Sequence, residues 1–383
     1  MPEKFIYLDN NATTPLLTKV ADAMHEIMIL PYGNPSSPHS VGEGTRGIIE
    51  DARKQVAELI NADQDHLVFT SCGSEANNQA ILSGLNASGL NRIVTSSVEH
   101  SSVKNLCENL EIKGVSVKVL PVDSSGLINL DDLEQAVKIN KAFVSIQWVN
   151  NETGVIQPIS EIADICKKYN CLFHTDAAQA CGKIQLDDRS FDPDYLTITA
   201  HKINGPQGVG AIYSKDIKSL SPLIVSGTEE HGKRGGTENL LGIVGFGKAC
   251  EIRKRDYNEC TRKMGKCRDA FENILLSALP DLKINGSKNH RVCNTTNIQF
   301  PGVDGRAMLG QLDNQDIICS QTSACLSQIP EPSFVLVAMG LGTEEAFSSL
   351  RFSFSSLNTM DEAKIAAEKV IEVYNKAKLL FNY

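Results

Sequence analysis

The sequence has no excess of positive charge and no long apolar run. Lysine and arginine number 37 against 46 aspartates and glutamates, which gives a formal net charge of −9. An acidic chain is a poor general binder of nucleic acid or anionic membranes, so any anion site must be local. No uncharged apolar stretch approaches the length of a membrane span, and residues 1–5 lack the basic-then-apolar order of a signal peptide. We therefore expect a cytoplasmic protein that binds neither nucleic acid nor membrane.

The 11 cysteines lack the paired short spacings of a zinc site or a disulfide framework. They are scattered from Cys72 to Cys325, with no CxxC and no HxxxH motif. We expect reduced thiols, most of them small buried hydrophobes, and no metal site. The turn at Thr70–Glu75, between a predicted strand and a helix, lacks the spacing of a Walker loop and of a GxGxxG motif, which disfavours nucleotide binding.

Short apolar runs alternate with helical periodicity through the first 250 or so residues. This alternation is typical of an α/β protein with a mainly parallel sheet and crossover helices. A continuous helical stretch is predicted from about Asn239 to Ala278. The predicted strands are His66–Thr70, Arg92–Thr95, Val115–Leu120, Ala142–Val149, Leu172–Asp176, Tyr195–Thr199 and Gly210–Tyr213.

The length of 383 residues suggests more than one domain. We predict an N-terminal segment, 1–15, that lies against the smaller of two domains. The large domain spans 16–255 and the small α+β domain spans 256–383. The small domain is predicted to contain the strands Thr296–Phe300 and Leu350–Phe354 and a final helix from Asp361 to Leu379.

Two residues that follow apolar strands have the chemistry of a cofactor site. Lys202 comes just beyond a predicted strand, in a turn rich in glycine and proline. A partly desolvated lysine can form a Schiff base with a carbonyl cofactor, although a solvated loop lysine would suit the same position. Asp176 ends another strand and would point into the crevice at the carboxyl edge of the sheet. It could pair with a protonated pyridine nitrogen, with Gln179 near a ring oxygen, or it could cap the next helix.

A turn between a predicted strand and a helix offers an anion site. Gly73 and Ser74 occupy this turn, where backbone amides and the helix dipole favour a phosphate, although such turns can also merely connect elements. His100 follows the next strand, where it could stack on an aromatic cofactor and move protons, or serve structure alone. Two candidates for binding a substrate carboxylate, with the same structural alternative, are Asn151 and Arg351.

Cys325 lies in a stretch of small polar residues that is followed by Pro330 and Pro332. This composition is typical of an exposed loop. An accessible thiolate there can attack sulfur, and a free thiol without a chemical role is the alternative.

In order and spacing these strings resemble the NifS/IscS-type cysteine desulfurases, which belong to the class V aminotransferase family of pyridoxal-phosphate enzymes. The resemblance extends from Tyr7–Pro15 and Gly33–Ser37 to Arg351–Ser353. It implies the pyridoxal-phosphate transferase fold of type I, with a mostly parallel seven-stranded sheet flanked by helices. The large domain would bind the cofactor, and the small domain would carry the catalytic cysteine loop.

The resemblance also implies roles for individual residues. Lys202 would form the Schiff base with pyridoxal 5'-phosphate, Asp176 would face the pyridine nitrogen, and Gln179 the phenolic oxygen. His100 would lie over the ring. The phosphate would be held by Gly73, Ser74, Thr199 and His201, together with Thr237 from the partner subunit of a homodimer. The substrate carboxylate would be bound by Asn151, which also contacts the cofactor, by Arg351 and by Asn34.

The family places its persulfide-forming cysteine in a Ser-Ser-Gly-Ser-Ala-Cys loop. This chain keeps Ser-Ala-Cys, ending at Cys325, but has Gln321 and Thr322 where serine and glycine are usual. The departure leaves open whether loop flexibility or acceptor preference has changed. Cys319 and Cys72, the latter at a position that is usually glycine, stay open as second reactive thiols.

The activity that the resemblance implies is removal of sulfur from L-cysteine, with Lys202, His100 and Cys325 as catalytic residues. The products would be L-alanine and a persulfide on Cys325. The sulfur would pass to an acceptor such as an iron-sulfur scaffold or a tRNA-thiolation protein. The alternatives are a selenocysteine lyase, another class V enzyme such as an aminotransferase, and a catalytically idle partner in sulfur transfer.

Overall fold

The helices and strands are those of a computed structural model, which describes residues 5–29, 32–185, 191–321 and 331–381. The strands in these ranges are β1 (Ile6–Tyr7), β2 (Leu67–Thr70), β3 (Arg92–Ser96), β4 (Ser116–Leu120), β5 (Phe143–Ser145), β6 (Leu172–Asp176), β7 (Tyr195–Thr199), β8 (Gly210–Ser214), β9 (Lys283–Ile284), β10 (Thr295–Gln299), β11 (Ile317–Ile318) and β12 (Ser349–Ser353). The α-helices are α1 (Thr18–Ile29), α2 (Ser40–Leu59), α3 (Gly73–Ser88), α4 (Ser101–Ile112), α5 (Leu130–Lys138), α6 (Ile159–Lys168), α7 (Leu240–Arg255), α8 (Tyr257–Ala278), α9 (Gly305–Asp313), α10 (Phe334–Ala338), α11 (Thr343–Phe347) and α12 (Met360–Phe381). None of these helices is both long and apolar enough to cross a membrane.

The central sheet has seven strands in the order β2-β8-β7-β6-β5-β3-β4. Neighbours pair in parallel, except that β8 runs antiparallel to both β2 and β7. Successive residues of a strand face opposite sides, so Phe143 packs with α3 and α4 while Val144 packs with α2, α5, α6 and α7. The prediction of an α/β fold with a mostly parallel sheet of seven strands is confirmed.

Helix α3 lies unusually close to the sheet. A Cβ added at Gly84 would stand 2.1 Å from Cε2 of Phe143, so only glycine allows this approach. At the other end of the helix, a Cβ on Gly73 would stand 3.7 Å from Cβ of Thr199, so the N-terminus of α3 lies beside the carboxyl end of β7, where the predicted anion site lies.

Strand β5 is shorter than the predicted Ala142–Val149. On one side, Ile146 and Trp148 still donate hydrogen bonds to main-chain oxygens of β6. On the other side, the main-chain nitrogen of Gln147 donates to both carboxylate oxygens of Glu99, each at 3.0 Å. A side chain therefore replaces the neighbouring strand, which apolar periodicity could not indicate.

The predicted helical stretch from Asn239 to Ala278 is two helices, α7 and α8. They meet at Asp256, whose φ of −102° and ψ of 15° are not helical. Helix α7 packs against α2 in the core of the large sheet, whereas α8 packs against α12 in a second core. The chain turns here because its two halves bury their apolar faces in different places.

The second core surrounds a three-stranded antiparallel sheet in the order β12-β10-β9. Phe271, Phe300, Phe352 and Phe354 pack together at its centre, with ring centroids 4.8 to 6.4 Å apart. Beside it, β1 pairs in parallel with β11, which brings the N-terminal segment against this part of the molecule. The domain limits at 15 and 255 stay a prediction.

Candidate active site

A cavity of about 240 Å³ opens at the carboxyl edge of the large sheet. Parallel strands end together at this edge, so residues far apart in sequence converge there. Asn11 and Ala12 of the N-terminal segment form another wall of the cavity. Ten of the predicted site residues line this cavity: Gly73, Ser74, His100, Asn151, Asp176, Gln179, Thr199, His201, Lys202 and Arg351.

Asp176 is the last residue of β6 and is only 4% exposed. Its carboxylate accepts hydrogen bonds from Nδ2 of Asn77 at 2.7 Å and from the main-chain nitrogen of Ala178 at 2.9 Å. Nδ2 of Asn77 also donates to Oγ of Ser102 at 2.9 Å, and Oγ of Ser102 lies 2.8 Å from Nδ1 of His100. This chain of hydrogen bonds fixes the carboxylate and the imidazole relative to each other.

Lys202 ends a single helical turn that follows β7. Its Nζ donates to the main-chain oxygens of Asn11 and Ala12, at 2.5 and 2.7 Å. The neighbouring His201 lies 3.2 Å, through Nδ1, from Oγ1 of Thr13. Burial and the adjacent Lys202 lower the pKa of His201 to about 3, so this imidazole is neutral at ordinary pH.

The predicted phosphate turn lies between β2 and α3. Gly73 and Ser74 are the first residues of α3, and Cys72 precedes them as an N-cap without a side-chain hydrogen bond. Strand β8 passes directly behind this turn. A Cβ on Gly210 would stand only 2.8 Å from the carbonyl carbon of Cys72. The turn therefore presents main-chain N–H groups of a helix N-terminus to the cavity, which is the arrangement that suits an anion.

Arg351 enters the cavity from β12 of the small sheet and is 1% exposed. Nη2 pairs with Oδ1 of Asp9 at 2.6 Å, and Nη1 donates to the main-chain oxygen of Asn151 at 3.0 Å. Nε is buried and has no partner among the described residues. A buried donor without a partner is costly, so this guanidinium is suited to a ligand that brings an oxygen.

Two predicted residues lie outside the cavity. Thr237 is exposed and lines a separate pocket beside Glu230 and Arg234. Asn34 is also exposed, and its Oδ1 accepts a hydrogen bond from the main-chain nitrogen of Ser36 at 2.9 Å. Neither residue contributes to the cavity of its own chain.

The cysteine prediction is only partly addressed by the structure. Cys325 and Thr322 lie outside the described residues, whereas Gln321 donates from Nε2 to the main-chain oxygen of Phe347. Cys319 is buried, and burial raises the pKa of its thiol well above the ordinary value of 9.0, which leaves it protonated. Cys72 is partly exposed and lines the cavity.

Several residues of the site had no signal in the sequence. Asn77 and Gln147 line the cavity from α3 and from the end of β5, and their amides could not be told from solvated ones. Glu99 is 1% exposed behind them, and burial raises the pKa of its carboxyl to about 8 against hydrogen bonds from Ser96 and Gln147. Lys183 is 7% exposed and lies behind Gln179.

Comparison with known proteins decides the family. A model of the aminotransferase class-V family matches residues 6–365. The chain belongs to the class-V aminotransferase family. Within that family, a cysteine desulfurase from Nostoc sp. (strain PCC 7120) is 44% identical over 369 residues, which cover 96% of this chain and 91% of that protein.

Solved structures agree with the class-V assignment. A NifS-like protein superposes with a TM-score of 0.91 at 33% identity, over 97% of this chain and 100% of its own. SspA in complex with cysteine superposes with a TM-score of 0.78 at 31% identity, over 92% of this chain and 99% of its own. The predicted family and its pyridoxal-phosphate transferase fold are confirmed.

Proposed function

We propose that this class-V protein is a pyridoxal-phosphate-dependent cysteine desulfurase. The observation that carries the proposal is the convergence of Lys202, Asp176 and the N-terminus of α3 on one cavity. Relatives named cysteine desulfurase at 44% identity, and a similar structure that holds cysteine, support the reaction and its substrate. The activity is the transfer of sulfur from L-cysteine, with L-alanine as the carbon product.

The donor set fits pyridoxal 5'-phosphate. Gly73 and Ser74 offer main-chain amides to the phosphate, with Thr199 and His201 beside them. Asp176 offers a carboxylate to a protonated ring nitrogen, and Lys202 offers the amine for Schiff-base attachment. When bound, the cofactor supplies an electron sink that stabilises negative charge at the α-carbon of an amino acid. His100, the N-cap of α4, would lie over the ring.

The remaining residues bind and move groups of the substrate. Arg351 and Asn151 bind the carboxylate, in keeping with the Nε of Arg351, which has no partner among the described residues. The amine of Lys202 would take and return the α-proton of the substrate. The thiolate of Cys325 attacks the substrate sulfur: an S–S bond forms, the C–S bond breaks, and the electron pair stays with the β-carbon, which is then protonated. The net reaction converts L-cysteine and the Cys325 thiol into L-alanine and the Cys325 persulfide.

The proposal includes a homodimer in the cytoplasm. Thr237 is exposed on a loop where Gly235 donates to the main-chain oxygen of Ile224 at 2.9 Å. Ile224 and Val225 beside it are 43% and 81% exposed, an apolar surface that suits a second copy. Thr237 would then complete the phosphate site of the partner. The persulfide sulfur would pass to an iron-sulfur scaffold or a tRNA-thiolation protein.

The test is to measure alanine and sulfide together, from L-cysteine, with protein loaded with pyridoxal phosphate and a thiol reductant present. We expect equal amounts of both products. Cys325→Ala should keep the yellow bound cofactor and lose sulfur transfer, whereas Lys202→Ala should lose both. Undiminished turnover in Cys325→Ala would refute the nucleophile, and a strong preference for selenocysteine in competition would favour the lyase.

A further inference from the structure

A buried lysine lies behind the cavity and has no part in the roles described so far. Lys183 follows β6 in the same turn as Gln179 and is 7% exposed. Its Nζ donates to Oε1 of Gln179 at 2.5 Å and to Oδ1 of Asn11 at 3.4 Å. Both acceptors are neutral amide oxygens, so among the residues that the structure describes the ammonium is buried against dipoles and not against a carboxylate.

This placement is energetically unfavourable for a cation. The pKa of Lys183 falls from 10.5 to about 7, first because of burial and then because of repulsion from Lys202, with a smaller contribution from Arg253. A methionine or leucine would fill the same space without that penalty. The lysine must therefore be explained by what its N–H groups do.

Those N–H groups, together with the main-chain oxygen of Asn11, determine which way the Gln179 amide faces. A protonated lysine has three donors and no acceptor, so the Gln179 atom that meets Lys183 in its charged form must be the carbonyl oxygen. Nε2 then lies on the other side and donates to the main-chain oxygen of Asn11 at 2.9 Å. Its second N–H is left for the cavity, which Gln179 lines. If the Gln179 amide were turned the other way, Oε1 would face the cavity and would repel an anionic oxygen of a ligand.

Asn11 connects this contact with the reactive lysine. Its main-chain oxygen accepts from both Lys202 and Gln179, while its side-chain oxygen accepts from both Lys183 and Asn294. Nδ2 of Asn11 is held in turn by Thr295 and by the main-chain oxygen of Asn151. Displacement of the Lys183 side chain would therefore disturb one side of a network that also holds Lys202.

We propose that Lys183 is a positioning residue, which fixes the Gln179 amide so that Nε2–H is the group offered to the phenolic oxygen of the bound cofactor. The inference rests on the proposed function for the identity of that oxygen. The contact between Lys183 and Gln179 is a property of the protein alone, so the two parts can be tested separately.

The first experiment uses the protein without cofactor. The Gln179 side-chain amide is observed by ¹⁵N NMR in selectively labelled protein and assigned by its loss in Gln179→Ala. Lys183→Met should shift or broaden this signal, whereas Lys168→Met, a change at an exposed lysine paired with Glu134, should leave it in place. An unchanged Gln179 signal in folded Lys183→Met would overturn the proposal, whatever the protein binds.

The second experiment measures the dissociation constant of pyridoxal phosphate by titration of the same proteins. We expect Lys183→Met to weaken binding roughly tenfold or more, the scale of one hydrogen bond to a charged group. In the Gln179→Ala background, Lys183→Met should weaken binding much less, because most of its action runs through Gln179 and only the contact with Asn11 remains to be lost. Equal weakening in both backgrounds would mean a merely structural role and would overturn the proposal.

Thermal unfolding of the cofactor-free variants separates positioning from folding. Lys183→Met removes a buried cation, so its melting temperature should equal or exceed that of the wild type. If Lys183→Met fails to fold, Lys183→Arg takes its place, because arginine keeps the N–H donors. The NMR signal of Gln179 should be retained in Lys183→Arg. Loss of that signal in Lys183→Arg would count against the proposal. A wild-type protein that binds no pyridoxal phosphate would refute the proposed function and the role of Gln179, even with the NMR contact intact.

Discussion

The two sheets of this molecule contribute to one cavity in different ways. In the large sheet, β7 is buried throughout and β6 is buried at all but its first residue, and the site residues Asp176 and Lys202 stand at or beyond their carboxyl ends. In the small sheet, β10 reads Thr-Thr-Asn-Ile-Gln and is also buried throughout, although four of its five residues are polar. Arg351 lies within the neighbouring strand β12 and not at its end.

The polar side chains of the small sheet have partners in the N-terminal segment and in the turn that follows β5. Oγ1 of Thr295 accepts from Asn11 at 2.9 Å, and Nδ2 of Asn297 donates to the main-chain oxygen of Glu152 at 3.3 Å. Buried polar groups stabilise a fold only when such partners are present. The large sheet thus presents reactive groups at a rim, whereas the small sheet closes the site with the faces of its strands.

The largest expected loss of activity comes from a substitution at the carboxyl edge of the large sheet. Asp176→Ala should lower kcat for alanine formation about 10³-fold at saturating cofactor, the size of the loss when one electrostatic stabiliser is removed. The free energy of unfolding should change by less than about 2 kcal/mol, because Asn77 keeps Ser102 as a partner. Asp192→Ala, at an exposed residue of the same body, is the control and should change neither quantity. A collapse of stability in Asp176→Ala would contradict the separation of rim from core.

A matched pair of core variants tests whether the two sheets unfold together. Phe143→Ala in β5 and Phe352→Ala in β12 each remove a fully buried ring and should cost about 3–5 kcal/mol. Trp148, the single tryptophan, lies in the core of the large sheet and reports its unfolding by fluorescence. Because the N-terminal segment joins the two bodies, both variants should move the tryptophan transition. A transition unmoved by Phe352→Ala would show that the sheets unfold separately.

Acid sensitivity should arise in the large sheet. His174 in β6 is fully buried between Ser145 and Thr197, and burial lowers its pKa from 6.5 to about 4. Between these values the unfolded chain binds a proton that the native state does not, so stability falls as pH falls through this window. The wild type should lose about 3 kcal/mol relative to His174→Gln from pH 7 to pH 4 in urea unfolding curves. A constant difference across that range would contradict the buried neutral imidazole.

The smallest effect comes from exchanging a hydroxyl for a methyl group in each sheet. Thr295→Val should cost about 1–2 kcal/mol, because Asn11 and Asn294 lose a partner. Thr95→Val in β3 should be neutral or slightly stabilising, since the buried Oγ1 of Thr95 has no partner among the described residues. Chemical denaturation of both variants measures the contrast, and equal costs would refute the distinction between the sheets.

The same contrast explains what could be predicted from the sequence. Apolar runs located the strands of the large sheet, and short turns after them drew attention to Lys202, Asp176 and Gly73. Family resemblance then assigned roles to residues such as His100 that periodicity could not distinguish from structural ones. Strand β5 is shorter than its apolar pattern predicts, because beyond it the carboxylate of Glu99 replaces the neighbouring strand as the hydrogen-bond acceptor.

Residues that act through main-chain atoms or through other side chains could not be predicted. Asn11 matters for its two oxygens, and only the folded chain brings these to Lys202 and Lys183. Asn77 lies in the second turn of α3, and nothing in the sequence distinguishes an asparagine at such a position from a solvated one. Thr237 lies outside the cavity of its own chain, so no reasoning confined to one chain places it at a site.

The attachment of the N-terminal segment has a consequence for biosynthesis. The main-chain nitrogen of Asn11 donates to Oγ of Ser353, and β1 pairs with β11, so the segment that holds Lys202 is itself held by strands that are made after the large sheet. A ribosome must translate beyond Ser353 before this wall can form. A nascent chain in which only the large sheet has emerged therefore has Asp176 and Lys202 but not the wall that holds Lys202, and the site is complete only after β12 has been made.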